Sequence, residues 1–174
     1  MTGLLITFEG TEGSGKSTQI GLLSKRLVDL KYRVLTLREP GGTPIGEEIR
    51  HILKHSPAGA SMCPETELML MCASRAQLVR QVIRPALCEG TIVLCDRFID
   101  STLAYQGYGR GLDIKFIHTL IDAAVGQTIP ELTLLLRVPL EVSETRRMER
   151  AQNNAQPNDR FEQENRDFFK RVEQ

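Results

Sequence analysis

The sequence predicts an α/β fold of three layers, in which a parallel sheet is flanked by helices. Short apolar runs alternate along the chain with amphipathic segments of helical spacing, which is the pattern of βαβ units. A glycine-rich stretch, residues 10–17, lies directly between the first apolar run and the first helical segment. With 174 residues, the chain is expected to form one domain, residues 1–174.

The first half of the chain supplies two strands and two helices. Residues 4–8 form a short, mostly apolar run bounded by Gly10, which is typical of a strand buried on both faces. Apolar positions at helical spacing predict a helix over residues 17–31, and a second short strand follows over residues 34–37. A turn rich in proline and glycine leads to a helix over residues 45–53. Residues 56–61 are expected to be a flexible connection.

The second half continues the alternation. Pro64 and the acids after it predict the first turn of a long helix that runs toward Arg84 and is kinked or ended by Pro85. Strands are predicted over residues 91–95 and 132–138, with a helix over about 113–125 between them. From Glu141 onward the chain is helical by composition, but a polar, proline-containing insert interrupts it at residues 151–158 and predicts a loop.

Charge and cysteine content exclude several classes of protein. Lys plus Arg and Asp plus Glu number 22 each, so the whole chain has no field of the kind that attracts nucleic acid polymers or membrane surfaces. The four cysteines form no CxxC pair, which argues against a zinc site and favours reduced, mostly buried thiols. No export signal or membrane span is recognisable, so a cytoplasmic protein is expected.

Residues 10–17, GTEGSGKS, match the phosphate-binding pattern G-x-x-x-x-G-K-[ST] without a mismatch. In this pattern, glycines let backbone N–H groups converge on phosphate oxygens, Lys16 reaches the β- and γ-phosphates, and the Ser17 hydroxyl binds Mg²⁺. Asp96 ends an apolar strand, where a carboxylate that binds Mg²⁺ directly or through water is expected; a simple strand-end cap is the alternative.

The residues alone leave three functions open. A kinase that acts on a nucleoside monophosphate needs several arginines at one site, and Arg38, Arg50, Arg75, Arg97 and Arg110 are candidates. Another P-loop kinase, of a nucleoside or a different nucleotide, fits the same motif. A nucleotide-dependent switch is the third possibility, but the segments that such a switch needs are not recognisable.

Three segments resemble bacterial thymidylate kinases: residues 8–19 (FEGTEGSGKSTQ), 38–43 (REPGGT) and 96–107 (DRFIDSTLAYQG). Residues 73–77 (ASRAQ) and 159–162 (DRFE) extend the similarity through nearly the whole chain. The resemblance implies a P-loop kinase fold with a lid at residues 146–160, transfer of the γ-phosphate of ATP to dTMP with Mg²⁺, and a homodimer. It also implies that a further family segment is missing after Gln174.

The resemblance also assigns roles to individual residues. Glu12 would face the deoxyribose 3′-hydroxyl, Arg97 with Arg50 would hold the dTMP phosphate, and Arg75 would meet the thymine edge. Tyr105 would pack where a ribose 2′-hydroxyl would lie. Because the P-loop contains no arginine, catalytic arginines are expected from the lid. The expected catalytic residues are Lys16, Glu12, Arg97, Arg150 and Arg160.

The expected binding residues form three groups. ATP would contact Gly10, Thr11, Glu12, Gly13, Ser14, Gly15, Lys16, Ser17, Thr18 and Arg146. The dTMP site would contain Glu39, Pro40, Arg50, Met71, Arg75, Arg97, Ser101, Thr102, Tyr105 and Gln106. Mg²⁺ would be held by Ser17 and Asp96.

Met71 stands where the family usually has a phenylalanine that stacks on thymine; a thioether can still contact an aromatic face.

Overall fold

A computed structural model describes residues 3–153 and 159–173, with the backbone alone for residues 150–153. Within them, four parallel strands form one sheet in the order β2-β3-β1-β4. The strands are β1 (Leu4–Glu9), β2 (Val34–Arg38), β3 (Ile92–Asp96) and β4 (Leu132–Leu135). The predicted α/β fold with a parallel sheet is therefore confirmed.

The strand order places a crevice at the carboxyl end of the sheet. The connection from β1 to β2 runs toward one edge of the sheet, whereas the connection from β3 to β4 runs toward the opposite edge. Ligands bind at such a reversal of direction in open α/β sheets. The ends of the strands are level, because Asp96 at the end of β3 pairs with Phe8 of β1 and with Arg38 of β2. The segments that follow these strands consequently meet above β1.

Helices flank the sheet on both faces. They are α1 (Lys16–Asp29), α2 (Pro44–His55), α3 (Pro64–Leu78), α4 (Arg84–Cys88), α5 (Ile99–Thr102), α6 (Ile114–Val125), α7 (Leu140–Asn153) and α8 (Arg166–Val172). Side-chain caps explain three of the starts: Thr43 accepts from the Gly46 N–H at 3.0 Å, Asp113 from the Phe116 N–H at 2.8 Å, and Asn165 from the Phe168 N–H at 2.9 Å. No described helix is both long enough and apolar enough to span a membrane.

Three elements differ from the sequence predictions. Pro85 does not end the long helix, because a π-helical turn, Val79–Ile83, joins α3 to α4. Pro85 lies in the first turn of α4, where a backbone N–H is not needed. The connection at residues 56–61 contains a 3₁₀ turn, Pro57–Ser61, with Gly59 buried. The strand β4 ends at Leu135 rather than near Val138, although the Leu136 N–H still donates to the Glu9 carbonyl of β1 at 2.8 Å.

Apolar side chains fill both sides of the sheet. One cluster packs Leu5, Val93 and Cys95 against α3 and α6, and another packs Phe8 and Leu94 against α1. A third cluster lies beside the crevice and contains Leu53, Tyr105, Leu140, Phe161, Phe168 and Phe169. The four cysteines are free as predicted, but only two of them, Cys72 and Cys95, are buried. The prediction of mostly buried thiols was wrong for Cys63 and Cys88, which lie at exposed ends of α3 and α4.

Candidate active site

The glycine-rich loop connects the buried strand β1 to α1. Gly13 has a φ of 79°, and a Cβ built on it would lie 3.2 Å from the Ser143 carbonyl oxygen. Glycine is therefore required both for the backbone conformation and for the close approach of α7. Lys16 folds back across the loop, where its Nζ donates to the carbonyls of Gly10 at 3.0 Å and Thr11 at 3.1 Å. Phosphate oxygens are stronger acceptors that can replace these carbonyls.

Burial lowers the pKa of Lys16 most, and the charge of Arg97 adds to the effect. Acidic neighbours, Glu12 first, oppose the shift, and the resulting pKa is about 8. The lysine is therefore mostly protonated at pH 7. A bound polyphosphate would favour the charged form further, since an opposite charge raises the pKa of an amine.

Two hard oxygen donors lie beside the loop. The Ser17 hydroxyl donates to Oδ2 of Asp96 at 3.1 Å, which brings the first residue after the loop lysine to the end of β3. Hydroxyl and carboxylate oxygens fit Mg²⁺, which commonly takes one or two protein ligands and completes its shell with water and phosphate. No group of three or more His, Cys, Asp or Glu side chains suited to a metal occurs among the described residues.

Arg97 lies at the centre of the crevice with its guanidinium on the loop side. Its φ of 68° is unusual for a residue other than glycine, and its backbone N–H donates to the Phe8 carbonyl at 2.9 Å. The guanidinium donates to Ser101 at 3.0 Å, Glu12 at 3.1 Å and the Tyr105 hydroxyl at 3.2 Å. Glu9 supports this turn by accepting from the Phe98 N–H at 2.7 Å.

The charges of Arg97 and Glu12 stabilise each other. Burial raises the pKa of Glu12, but the positive charges of Arg97 and Lys16 outweigh it and bring the pKa to about 2. Burial lowers the pKa of Arg97, but Tyr105 and Glu12 raise it above its ordinary value. Both groups are therefore ionised at neutral pH.

A second buried pair lies deeper in the cavity. Arg75 donates from Nε to Oε2 of Glu39 at 2.7 Å, and its Nη2 lies in ion-pair contact with the same oxygen at 2.6 Å. It also donates to the Thr102 hydroxyl at 2.8 Å and the Phe98 carbonyl at 2.9 Å. Burial raises the pKa of Glu39 despite the opposing charge of Arg75. The guanidinium is held in one orientation by three elements of the fold.

One cavity of about 950 Å³ contains both pairs. Most of the residues predicted from the sequence line it: Glu12, Gly13, Ser14, Gly15, Lys16, Ser17, Thr18, Glu39, Pro40, Arg50, Met71, Arg75, Asp96, Arg97, Ser101, Thr102, Tyr105 and Arg146. Arg50 is fixed by donation to the Pro40 carbonyl at 2.8 Å. Gly10 and Thr11 contribute to the loop through the carbonyls that receive Lys16.

Two predicted residues lie elsewhere. Gln106 is buried and donates to Glu67 at 2.6 Å instead of facing the cavity. Arg160 donates to the Leu53 carbonyl at 2.9 Å and to Glu67 at 2.6 Å, so it holds the residues after the insert against α2 and α3. The side chain of Arg150 and residues 154–158, the greater part of the predicted insert, lie outside what the structure describes.

Sequence reasoning missed several contacts. Lys54 lines the cavity and pairs with Asp159 at 2.6 Å, and Phe161 lines it while packing edge-on against Tyr105. Asp159 and Phe161 belong to the DRFE segment, so the resemblance already pointed to that region. Ser143 on α7 had no signal in the sequence, because its importance depends on how α7 packs on the loop.

Comparison with known proteins shows which family this chain resembles. The family model described as thymidylate kinase matches residues 8–174. The chain belongs to the thymidylate kinase family. The thymidylate kinase of Kosmotoga olearia is 49% identical over 171 residues, which cover 98% of this chain and 79% of that relative. The thymidylate kinase of Thermomicrobium roseum is 52% identical over 167 residues, which cover 96% and 76%.

A solved structure shows the same fold. The crystal structure of thymidylate kinase from Ehrlichia chaffeensis superposes with a TM-score of 0.74 at 35% identity, over 90% of this chain and 85% of that one. The predicted P-loop kinase fold and the predicted enzyme class, an ATP-dependent phosphotransferase of the thymidylate kinase family, are thereby confirmed.

Proposed function

We propose that this chain transfers the γ-phosphate of ATP to dTMP, forming dTDP and ADP, within the cavity described above. One observation carries the proposal: the same cavity is lined by the loop residue Lys16, by the central Arg97 and by the buried Arg75. A phosphate-binding loop at one end and cationic groups at the other suit a donor polyphosphate and an acceptor monophosphate.

The donor side is built from the loop and α1. Backbone N–H groups of residues 13–18 would bind the phosphates of ATP, and Lys16 would leave the two loop carbonyls to contact the β- and γ-phosphates. Arg146 would add a positive charge beside the loop. Ser17 and Asp96 would hold Mg²⁺, which neutralises phosphate charge when bound.

The acceptor side is built from the segments after β2 and β3 and from α3. Arg97 and Arg50 would bind the dTMP phosphate, while Glu12 would accept from the 3′-hydroxyl. Arg75 would contact the thymine edge with a guanidinium N–H that its three hydrogen bonds, to Glu39, Thr102 and Phe98, do not use. Glu39, Pro40, Met71 and Thr102 would form the walls, and Ser101 and Tyr105 would keep Arg97 in place.

Phosphoryl transfer needs little covalent chemistry from the protein. A phosphate oxygen of dTMP forms a bond to the γ-phosphorus as the bond to the β,γ-bridging oxygen breaks, and ADP departs with that oxygen. Lys16 and Arg97 flank this position and stabilise the charge of the transferring group. The lid at residues 146–160 stays a prediction, with Arg150 as its candidate catalytic arginine; the contacts of Arg160 favour an anchoring role.

A coupled assay of ADP release tests the function. With ATP and Mg²⁺, dTMP should support turnover well above that with UMP, thymidine or no acceptor. Faster turnover with thymidine would indicate a nucleoside kinase, and equal slow hydrolysis with every acceptor would indicate a nucleotide-dependent switch. Either result would reject the proposal.

We also propose that the chain forms a homodimer through α3 and its neighbour α2. Leu68 and Cys72 of α3 face the core, but Met69 is 52% exposed, and Ile45 and Ile52 of α2 are also exposed. Apolar groups on adjacent helices suit an interface. Light scattering during size exclusion should give twice the chain mass, and Met69→Glu should shift it toward one chain. A monomeric wild type would contradict the proposal.

A cytoplasmic location is proposed because all four thiols are free.

A further inference from the structure

The first turns of α7 are bound to the backbone of the phosphate-binding loop. Ser143 is 1% exposed, and its hydroxyl donates to the Glu12 carbonyl at 2.6 Å. One turn later, Arg146 donates from Nη1 to the Gly13 carbonyl at 2.8 Å. Two successive carbonyls of the loop are thus held by one face of one helix.

The contact is too close to be incidental packing. A Cβ on Gly13 would lie 3.6 Å from Cα of Ser143 and 3.3 Å from Cβ of Arg146. The helix is itself fixed at this point, because the Ser143 N–H donates to the Pro139 carbonyl at 3.1 Å and Leu140 packs in the cluster beside the crevice. A rigid support therefore stands behind the loop.

Fixing the Glu12 carbonyl also fixes the direction of the next N–H group. The peptide bond between Glu12 and Gly13 is planar and trans, so its C=O and N–H point in opposite directions. With the carbonyl directed at Ser143, the Gly13 N–H is directed away from α7, and Gly13 lines the cavity. Rotation of this peptide would remove one donor from the phosphates.

We propose that Ser143 is a positioning residue that aims the Gly13 N–H at the phosphates of the bound nucleotide. The inference rests on the proposed ATP site. Arg146 contributes to the same support, but it also faces the cavity, so its substitution would combine two effects. Ser143 acts on the nucleotide only through the loop backbone, which makes it the informative position.

The test compares Ser143→Ala with a matched control on the same helix. Thr145 also carries a hydroxyl, which donates to the Glu141 carbonyl at 2.9 Å, but this bond is exposed and lies within α7. Thr145→Ala therefore removes a hydroxyl without touching the loop. Ser143→Cys keeps the side-chain size with a weaker donor, and it serves if the alanine variant fails to fold.

Titration calorimetry with ADP and, separately, with dTMP gives the decisive readout. We expect Ser143→Ala to weaken ADP binding about threefold to tenfold, the loss of one net hydrogen bond, and to leave dTMP binding within twofold. Ser143→Cys should lie between wild type and alanine, and Thr145→Ala should match wild type. In the coupled assay, the KM for ATP should rise while that for dTMP stays constant.

Three results would overturn the inference: unchanged ADP binding in Ser143→Ala, equal weakening of ADP and dTMP, or the same loss in Thr145→Ala. Failure of the proposed function is distinguishable from these, because it would appear in the wild type as absence of ADP binding or of dTMP-dependent turnover.

Discussion

Replacing Arg75 by methionine should destabilise the fold through its partner, Glu39. The two side chains are 3% and 4% exposed, and Oε2 of Glu39 accepts a hydrogen bond of 2.7 Å from Nε of Arg75 and lies 2.6 Å from its Nη2. Oε1 of Glu39 already has no hydrogen-bond partner among the described residues. Without Arg75, a buried carboxylate would remain with neither a counter-charge nor these donors.

The size of the effect depends on whether the Glu39 carboxylate takes up a proton once Arg75 is removed. Removing one partner of a buried ion pair costs about 3–5 kcal/mol. The carboxylate can avoid part of this penalty by taking up a proton. For a group with an ordinary pKa of 4.5, protonation at pH 7 costs about 3.4 kcal/mol, since each pH unit above the pKa corresponds to about 1.36 kcal/mol. We therefore expect a loss of about 3–4 kcal/mol, or a decrease in Tm of roughly 6–16 °C at about 2–4 °C for each kcal/mol.

The dependence on pH identifies the cause. In Arg75→Met, the pKa of Glu39 in the folded state lies further above its unfolded value of 4.5, so the folded state binds more protons than the unfolded state. The destabilisation should be large at pH 7 and decrease as the pH falls toward 4.5, where the unfolded state also takes up the proton. Urea unfolding at several pH values measures it. The double variant Arg75→Met, Glu39→Leu should recover to within about 1 kcal/mol of wild type, because no buried charge is left.

Two results would refute this reasoning: a loss in Arg75→Met that does not change with pH, or a double variant that loses the sum of both single changes. Either would mean that Arg75 stabilises the fold through its bonds to Thr102 and Phe98 rather than through Glu39.

Three further predictions concern the cavity. Lys16→Ala should lower kcat about 10²–10³-fold with little change in Tm, because it removes a charge from the transferring phosphate; near-normal turnover would contradict this. In the wild type, kcat/KM for ATP should decrease as the pH rises through about 8, where Lys16 loses its proton, and a flat profile to pH 9.5 would exclude that cause. Met71→Phe should tighten dTMP binding modestly in calorimetry, since a rigid ring loses less entropy on stacking; weaker binding would show a pocket shaped around methionine.

The sequence was sufficient where function depends on local chemistry. The loop around Lys16 lies between a buried strand and a helix, and both the spacing and the residue types encode its phosphate-binding geometry. Asp96 was expected as a magnesium ligand because it ends an apolar strand, and the structure places it at the carboxyl edge of the sheet, level with Phe8 of β1.

The sequence does not show which partner a side chain binds when the candidates lie far apart along the chain. Gln106 and Arg160 are absent from the cavity wall because both bind Glu67, which is 1% exposed on α3 and also pairs with Arg110 at 3.0 Å. A buried carboxylate competes strongly for cationic and amide donors. Glu67 looked like a first-turn acid of a helix, and nothing in its neighbourhood along the chain shows that the fold buries it.

The central place of β1 in the sheet has a consequence for the synthesis of the chain. Its neighbours are β3 and β4, and the bond from the Leu5 N–H to Glu131 joins residues 126 positions apart. At about 5–20 residues per second, a ribosome needs roughly 6–25 s to make that stretch, during which one edge of β1 has no partner strand. The loop that follows β1 takes its support from Ser143, which emerges later still. Nascent chains that end before α7 should therefore bind nucleotide more weakly than the full chain, and their affinity should rise once Ser143 has been made.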